Sequence, residues 1–182
     1  MRIPNNALWS LLAFLLAANI VLMIVLAPMG EILKGSGTGV GIFQFELAGS
    51  IENAERIMGS WRKAGLEAVA RTSIWLDFAF LLAYPLLLAI AGWLLAANGP
   101  PGLRKIGNGM AYTVLACAPL DAVENIGMLR MLDFGADLNT VYVTTVCAAL
   151  KWLLVSMAFA CVVVQLIAIG IVKPFFSNRN EE

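Results

Sequence analysis

The chain has 182 residues, of which 60% are hydrophobic and only 13% are charged. Soluble domains average about 45–50% apolar residues, so this composition is typical of a protein whose main partner is the lipid bilayer. Twelve basic and twelve acidic residues cancel, which leaves no basic surplus for nucleic acid. Histidine is absent, which removes the commonest metal ligand and the haem axial histidine. No metal ligand is singled out and no cofactor is assigned, although carboxylates can still bind a hard cation.

The first apolar run extends from Ala7 to Pro28 and contains one strongly polar residue, Asn19. About 20 consecutive apolar residues span a bilayer, so the run predicts a transmembrane helix over residues 7–28. It is longer than the apolar region of a signal peptide, and no small-residue cleavage site follows, so we expect it to be retained. Pro28 and the glycines from Gly30 to Gly41 are expected to end it.

The long connection that follows covers residues 29–65, and residues 43–63 within it predict a short amphipathic helix. Ser50 followed by Glu52 is typical of a helix N-terminus, and apolar residues then recur at helical spacing: Ile51, Ala54, Ile57, Met58 and Trp61. Two interpretations are compatible with this pattern. The helix lies on the membrane surface with Trp61 among the headgroups, or it packs over the end of a helix bundle.

Three further spans are predicted, over residues 66–97, 107–132 and 140–172. Pro85 lies in the middle of the second span, where a proline removes a hydrogen bond and usually kinks the helix. Pro119 lies in the third span, and Lys173 followed by proline is expected to stop the fourth. The sequence therefore predicts one all-α domain over residues 1–182, an antiparallel bundle of four transmembrane helices.

Basic residues predict how this bundle is oriented. One side of the membrane receives Arg2, Arg104, Lys105, Lys173 and Arg179, with no acid among those segments before the last two residues. Cytoplasmic loops carry an excess of lysine and arginine, so both termini are expected in the cytoplasm and residues 29–65 outside. Basic residues near the end of the long connection reduce this contrast.

Polar side chains inside the predicted spans form the candidate site. Asp121, Glu124 and Asn125 have the spacing that places side chains on one face of a helix. In an antiparallel bundle, Asp77 of the second span and Lys151 of the fourth lie toward the same outer end, and Tyr84 lies two turns deeper than Asp77 on the same face. Ionised groups are costly within a bilayer, so we expect these side chains to face inward and to pair.

The predicted site holds more acids than bases. Three carboxyl groups, of Asp77, Asp121 and Glu124, stand against the single amine of Lys151. Either some carboxyl groups are protonated, or a cation completes the set: a proton in transit, a hard metal ion or an ammonium group on a ligand. The alternative is a closed ion-pair network that only fixes which helix faces which.

Several segments resemble a group of uncharacterised bacterial four-helix membrane proteins. The resemblance rests on residues within 43–130: Phe45-Glu-Leu-Ala-Gly-Ser, Glu55-Arg-Ile, Trp61, Leu76-Asp-Phe-Ala-Phe-Leu-Leu-Ala-Tyr and Leu120-Asp-Ala-Val-Glu-Asn. It implies a four-span protein of the bacterial inner membrane, with Asp77 and the group Asp121, Glu124 and Asn125 as its signature. No activity is established for this group, so the resemblance assigns no catalytic residue.

Three functions are compatible with these patterns. The first is a small accessory or scaffolding protein, in a larger membrane complex or a homo-oligomer, whose acidic core binds a small or lipid-like ligand. The second is an intramembrane enzyme that acts on a lipid or isoprenoid substrate through the Asp121 and Glu124 carboxyl groups. The third is a proton or cation pathway. A cavity from the hydrocarbon to the polar residues would support ligand binding or the enzyme, and a packed core would not.

Overall fold

The computed structural model describes residues 5–35, 37, 39–99 and 101–177. These residues form seven α-helices and one 3-10 helix, and no strand occurs among them. In chain order the helices are α1 (Asn5–Lys34), α2 (Ile42–Glu46), α3 (Ile51–Lys63), α4 (Glu67–Asn98), α5 (Pro101–Thr113), the 3-10 helix (Val114–Ala116), α6 (Cys117–Phe134) and α7 (Leu138–Ser177). The predicted all-helical class is confirmed.

Three of the helices within the described residues, α1, α4 and α7, are long and apolar enough to cross a membrane. Large apolar side chains on them are exposed, among them Phe14 at 68%, Ile24 at 67% and Phe159 at 61%. Soluble proteins rarely expose apolar surface on this scale, whereas the apolar side chains of a membrane-spanning helix contact lipid. The length and composition of these helices therefore support a membrane protein.

Two helices continue beyond the prolines that were expected to end them. The first helix does not stop at Pro28 but runs on to Lys34, because Leu33 in its last turn is fully buried against Phe45 and its neighbours. That packing offsets the hydrogen bond that an internal proline removes. The last helix likewise passes Pro174 and ends at Ser177, so the predicted stop after Lys173 is wrong.

The predicted third span, residues 107–132, is interrupted. A helix begins earlier, at Pro101, and a 3-10 turn over Val114–Ala116 separates α5 from α6. The ring of a proline clashes with the carbonyl group four residues before it. For Pro119 that residue is Leu115, at the centre of the 3-10 turn, which accounts for the position of the break.

The connection over residues 43–63 contains two helices rather than one. Gly49 separates α2 from α3 with a positive φ of 70°, a conformation that glycine adopts without strain. The Ser50 side chain accepts a hydrogen bond from the backbone N–H of Asn53, which confirms the predicted start of α3. Trp61 is fully buried and stacks edge-on against Phe45, so α3 packs over the end of the bundle and Trp61 does not lie among headgroups.

The start of α7 is fixed by Asp137. Its carboxylate accepts hydrogen bonds from the backbone N–H of Thr140, at 3.0 Å, and from the Thr140 hydroxyl, at 2.6 Å. These two donors favour the charged form and hold the pKa of Asp137 below its usual value. An N-terminal acid of this kind also interacts favourably with the helix dipole.

Helices α6 and α7 approach each other closely at Gly127. A Cβ placed on Gly127 would overlap the hydroxyl oxygen of Thr144, on the facing helix. Small residues at helix contacts let backbones approach, which is how helices commonly associate in membranes. Because Thr144 is buried and β-branched, its side chain has little freedom to move aside. Gly127 therefore sets the spacing of the two helices that carry most of the polar site.

Gly127→Ala is expected to destabilise the protein by about 1–3 kcal/mol, because it overpacks this contact. Thermal unfolding in detergent, followed by tryptophan fluorescence, measures the effect. Thr144→Ala in the same chain should restore part of the loss, since it removes the overlapping hydroxyl. Gly109→Ala is the control, because a Cβ there meets open space. Equal unfolding temperatures for Gly127→Ala and Gly109→Ala would contradict the close approach.

Candidate functional site

Lys151 is the centre of the polar cluster. Its Nζ lies 2.8 Å from Glu124 Oε1 and 3.0 Å from Asp121 Oδ1, and donates a hydrogen bond to each. A third carboxylate oxygen, Glu46 Oε2, lies 3.5 Å away. Lys151 is 5% exposed and 13 residues beyond the start of α7, about 20 Å along the helix axis. An amine at this depth is stable only with such partners.

The remaining predicted site residues join the same cluster. The Tyr84 hydroxyl donates to Asp121 Oδ2 at 2.9 Å, so both oxygens of this carboxylate are engaged. Asn125 Nδ2 donates to Asp77 Oδ2 at 2.8 Å, which connects α6 to α4. The structure thus brings together side chains from α4, α6 and α7, and these are the six residues chosen from the sequence: Asp77, Tyr84, Asp121, Glu124, Asn125 and Lys151.

Two members of the cluster were not identified from the sequence. Glu46 belongs to the short helix α2 of the long connection, yet it is buried and pairs with Lys151. The indole N–H of Trp152 donates to Glu46 Oε2 at 3.0 Å. The available signal was an acid between apolar neighbours, Phe45 and Leu47. That signal does not tell where the connection folds back, so it did not point to Lys151.

The arginines nearest to the cluster in sequence form ion pairs outside it. Arg71 lies 2.7 Å from Asp133, and Arg130 lies 3.7 Å from Asp137. All four of these side chains are more than a third exposed. They therefore do not neutralise the buried carboxylates, and Lys151 alone forms ion pairs with the cluster in the described part of the chain.

Two buried oxygens of the cluster, Glu124 Oε2 and Asn125 Oδ1, have no hydrogen-bond donor among the residues that the structure describes. A carboxylate oxygen and a carboxamide oxygen only accept hydrogen bonds. A buried acceptor without a donor is unfavourable by about 1–3 kcal/mol. The polar cluster is therefore not closed, and what it lacks is donors.

A cavity of about 880 Å³ reaches the cluster. Ligand pockets are typically about 300–1,000 Å³, so this one accommodates a substantial organic molecule. Most of its lining is apolar and comes from α1, α4 and α7, while α2 covers one end. Its charged lining residues are Glu31, Lys34, Glu46, Asp77, Asp121 and Lys151, and Tyr84, Asn19, Gln44, Ser73 and Asn125 add further polar groups. The Glu124 carboxylate is not among them.

Apolar residues that line the cavity on α1 and α7 are also exposed at the surface of these helices. Ile20 and Met23 of α1 line it and are 50% and 58% exposed, and Phe159 of α7 lines it and is 61% exposed. Its contacts with α1 extend from Leu16 to Lys34, about 27 Å along that helix. Since α1 and α7 are two of the candidate spans, the opening between them faces the hydrocarbon when they cross a bilayer.

Metal and thiol chemistry gain little support from the geometry. Within the described residues, no group of three or more acidic or cysteine side chains is arranged to hold a metal ion. Cys117 is buried, and Cys147 and Cys161 are half-buried; all three are free thiols.

Comparisons with protein-family models, curated proteins and solved structures give no match. The resemblance to uncharacterised bacterial four-helix proteins therefore stays a prediction.

Removing the amine of Lys151 is expected to cost about 3–5 kcal/mol of stability, because Asp121 and Glu124 would stay buried without a counter-charge. The variant is Lys151→Met, measured by chemical unfolding in mixed micelles. Adding Asp121→Asn and Glu124→Gln to it should recover much of the loss. Arg62→Met is the control, since Arg62 forms an exposed pair with Glu67 and should change stability by about 1 kcal/mol or less. Equal effects of Lys151→Met and Arg62→Met would refute this role.

Proposed function

We propose that this chain is an integral membrane protein that binds a lipid-like ligand in the cavity between α1 and α7. The observation that carries the proposal is the combination of a long apolar cavity with the charged cluster inside it. An amphiphile has the same two parts, a chain and a polar group. The lateral opening lets such a molecule move in from the bilayer without crossing water.

The polar end of the cavity supports a specific binding site rather than a packing defect. Packing defects are lined by apolar atoms, and charged side chains are avoided in membrane interiors unless they have a function. Here Asp77, Asp121 and Lys151 all line the same cavity. An ion-pair network whose only role was to orient the helices against one another would not require an open cavity beside it.

A bulky residue in the cavity tests the proposal. Ala27 lines the cavity on α1, and Ala17 lies on the same helix, is exposed and lines no part of it. Purified from native membranes, the wild-type protein should retain a lipid-like molecule detectable by mass spectrometry of an organic extract. Ala27→Trp should reduce the retained amount at least about tenfold, equivalent to about 1.4 kcal/mol, and Ala17→Trp should not.

Two results would contradict the proposal. One is that the two tryptophan variants retain the same molecules in the same amounts as wild type. The other is that the retained molecules are bulk phospholipids in the proportions of the surrounding membrane, which indicates a non-specific lipid shell.

The proposal includes four antiparallel spans, with α5 and α6 together forming the third in chain order. The charges of α6 make it too polar to be recognised as a span by composition, but two of them, Asp121 and Glu124, are buried inside the protein. Their burial next to Lys151 supports a helix at membrane depth, because polar residues in bundles face inward. With four spans, both termini lie on the cytoplasmic side of a bacterial inner membrane. Two of the basic residues that predict this orientation, Arg2 and Arg179, lie outside the described residues.

Reporter fusions distinguish four spans from three. Green fluorescent protein should fluoresce when fused to either terminus, and alkaline phosphatase should be inactive at both, since both termini are expected in the cytoplasm. Phosphatase inserted next to Gly37, in the long connection, should be active. An active phosphatase at the C-terminus together with a fluorescent N-terminal fusion would show an odd number of spans and contradict the bundle.

An accessory role is the simplest setting for such a binding protein, and it predicts that a membrane complex copurifies with the chain. The intramembrane enzyme stays a second candidate, because the cavity reaches Asp121, held between Tyr84 and Lys151. The acids that a substrate would meet are Asp77, Asp121 and Glu46 rather than the expected pair of Asp121 and Glu124. Appearance of a modified lipid during incubation of the purified protein with its extracted ligand would favour the enzyme.

A further inference from the structure

We infer that the polar end of the ligand is an ammonium group that carries N–H donors, bound between Asp77 and Asn125. This inference rests on the proposed function and adds the chemical class of the ligand. Its basis is what the cavity leaves unpaired: negative charge and hydrogen-bond acceptors.

Charge balance comes first. The carboxylates of Glu31, Glu46, Asp77 and Asp121 line the cavity, as do the amines of Lys34 and Lys151, and Lys34 pairs with Glu31. Lys151 is already in contact with Asp121, Glu124 and Glu46. Asp77 forms no ion pair within the described part of the chain, and its one hydrogen bond comes from the neutral amide of Asn125. Asp77 is therefore the carboxylate available to a cation from outside.

The hydrogen bonds of Asn125 independently indicate a ligand group that donates hydrogen bonds. Asn125 is 0% exposed and lines the cavity. Its Nδ2 is used by Asp77, but no described residue donates to its Oδ1. Since a carboxamide oxygen only accepts hydrogen bonds, the complementary group must be a donor. An ammonium group with N–H bonds satisfies the charge of Asp77 and the oxygen of Asn125 together, through charge-assisted hydrogen bonds.

Other headgroups match these residues less well. A carboxylate or phosphate would lie against Asp77 and Glu46, and Lys151 already donates to two carboxylates. A quaternary ammonium carries the charge but no N–H, so it leaves Asn125 Oδ1 without a donor. A metal ion lacks a suitable group of ligands among the described residues. The ligand class is thus an amphiphile with a primary or secondary amine.

The test uses four single-chain probes of equal length: tetradecylamine, N-tetradecylacetamide, tetradecanoic acid and tetradecyltrimethylammonium. Binding is measured at neutral pH to the full-length protein in nanodiscs of zwitterionic lipid, by native mass spectrometry. Tetradecylamine should bind at least about tenfold more tightly than the amide or the acid, a typical effect of one charge-assisted hydrogen bond. The trimethylammonium probe should bind less tightly than the amine.

Asp77→Asn is the decisive variant. It removes the charge but keeps an oxygen that accepts from Asn125, so the fold should be retained, which thermal unfolding checks. The preference for the amine over the amide should disappear in Asp77→Asn and persist in Glu67→Gln, where an exposed acid of the same helix is neutralised. Comparing variants in identical nanodiscs cancels the different partitioning of the probes into lipid.

The outcomes separate the two proposals. If all four probes bind equally and Ala27→Trp weakens all of them, the ammonium inference is overturned and the lipid-binding cavity stands. A preference for the amine that Asp77→Asn leaves unchanged also overturns the inference. If no probe binds, or Ala27→Trp affects none of them, the proposed function itself fails.

Discussion

The contact between Lys151 and its carboxylates is the constraint on which the rest of the structure depends. An ammonium group deep within an apolar helix is tolerated only when anionic groups surround it. Asp121 and Glu124 supply two of them from α6, which fixes the rotation of α6 against α7. Glu46 supplies a third from α2, which draws the long connection onto the bundle. Rotating either long helix by half a turn would expose these charges to lipid, so the pairing selects one arrangement among many apolar alternatives.

The same contact distinguishes the residues that orient the helices from those that line the cavity. One lysine and two acids are enough to fix how α6 faces α7, and Glu124 is buried and does not line the cavity. Asp77 does not help to orient α6 against α7, because it pairs with no base in the part of the chain that is described. An additional acid in a lipid-exposed cavity is unfavourable unless something compensates it. The excess of acid over base therefore requires either a protonated carboxyl group or a cation from outside the chain.

The sequence predicted the structural features that depend on local periodicity, and it did not predict those that depend on tertiary packing. Apolar runs long enough to cross a bilayer located α1, α4 and α7, and the spacing of Asp121, Glu124 and Asn125 predicted the face that meets Lys151. The predicted ends of α1 and α7 were wrong: α1 continues past Pro28, where the packing of Leu33 offsets the lost hydrogen bond, and α7 continues past Pro174. Glu46 was missed because the helical pattern is interrupted at Gly49, so the sequence does not indicate where α2 folds back. The cavity was not predictable either, since it arises from how helices assemble and not from any one of them.

How α1 is attached explains where the cavity opens. Within the described residues α1 packs mainly on α4, and its polar side chains that line the cavity bond within α1 itself: Asn19 donates to the Leu15 carbonyl, and Lys34 pairs with Glu31. No ion pair or side-chain hydrogen bond joins α1 to α7 in that part of the chain, whereas α6 and α7 share the Lys151 network. Lipid tails are as apolar as leucine, so nothing comparable to the hydrophobic effect closes a gap between two apolar helices. Separating α1 from α7 therefore leaves no buried charge without a partner, while separating α6 from α7 would, and this difference favours the α1 side as the entry route for the proposed ligand.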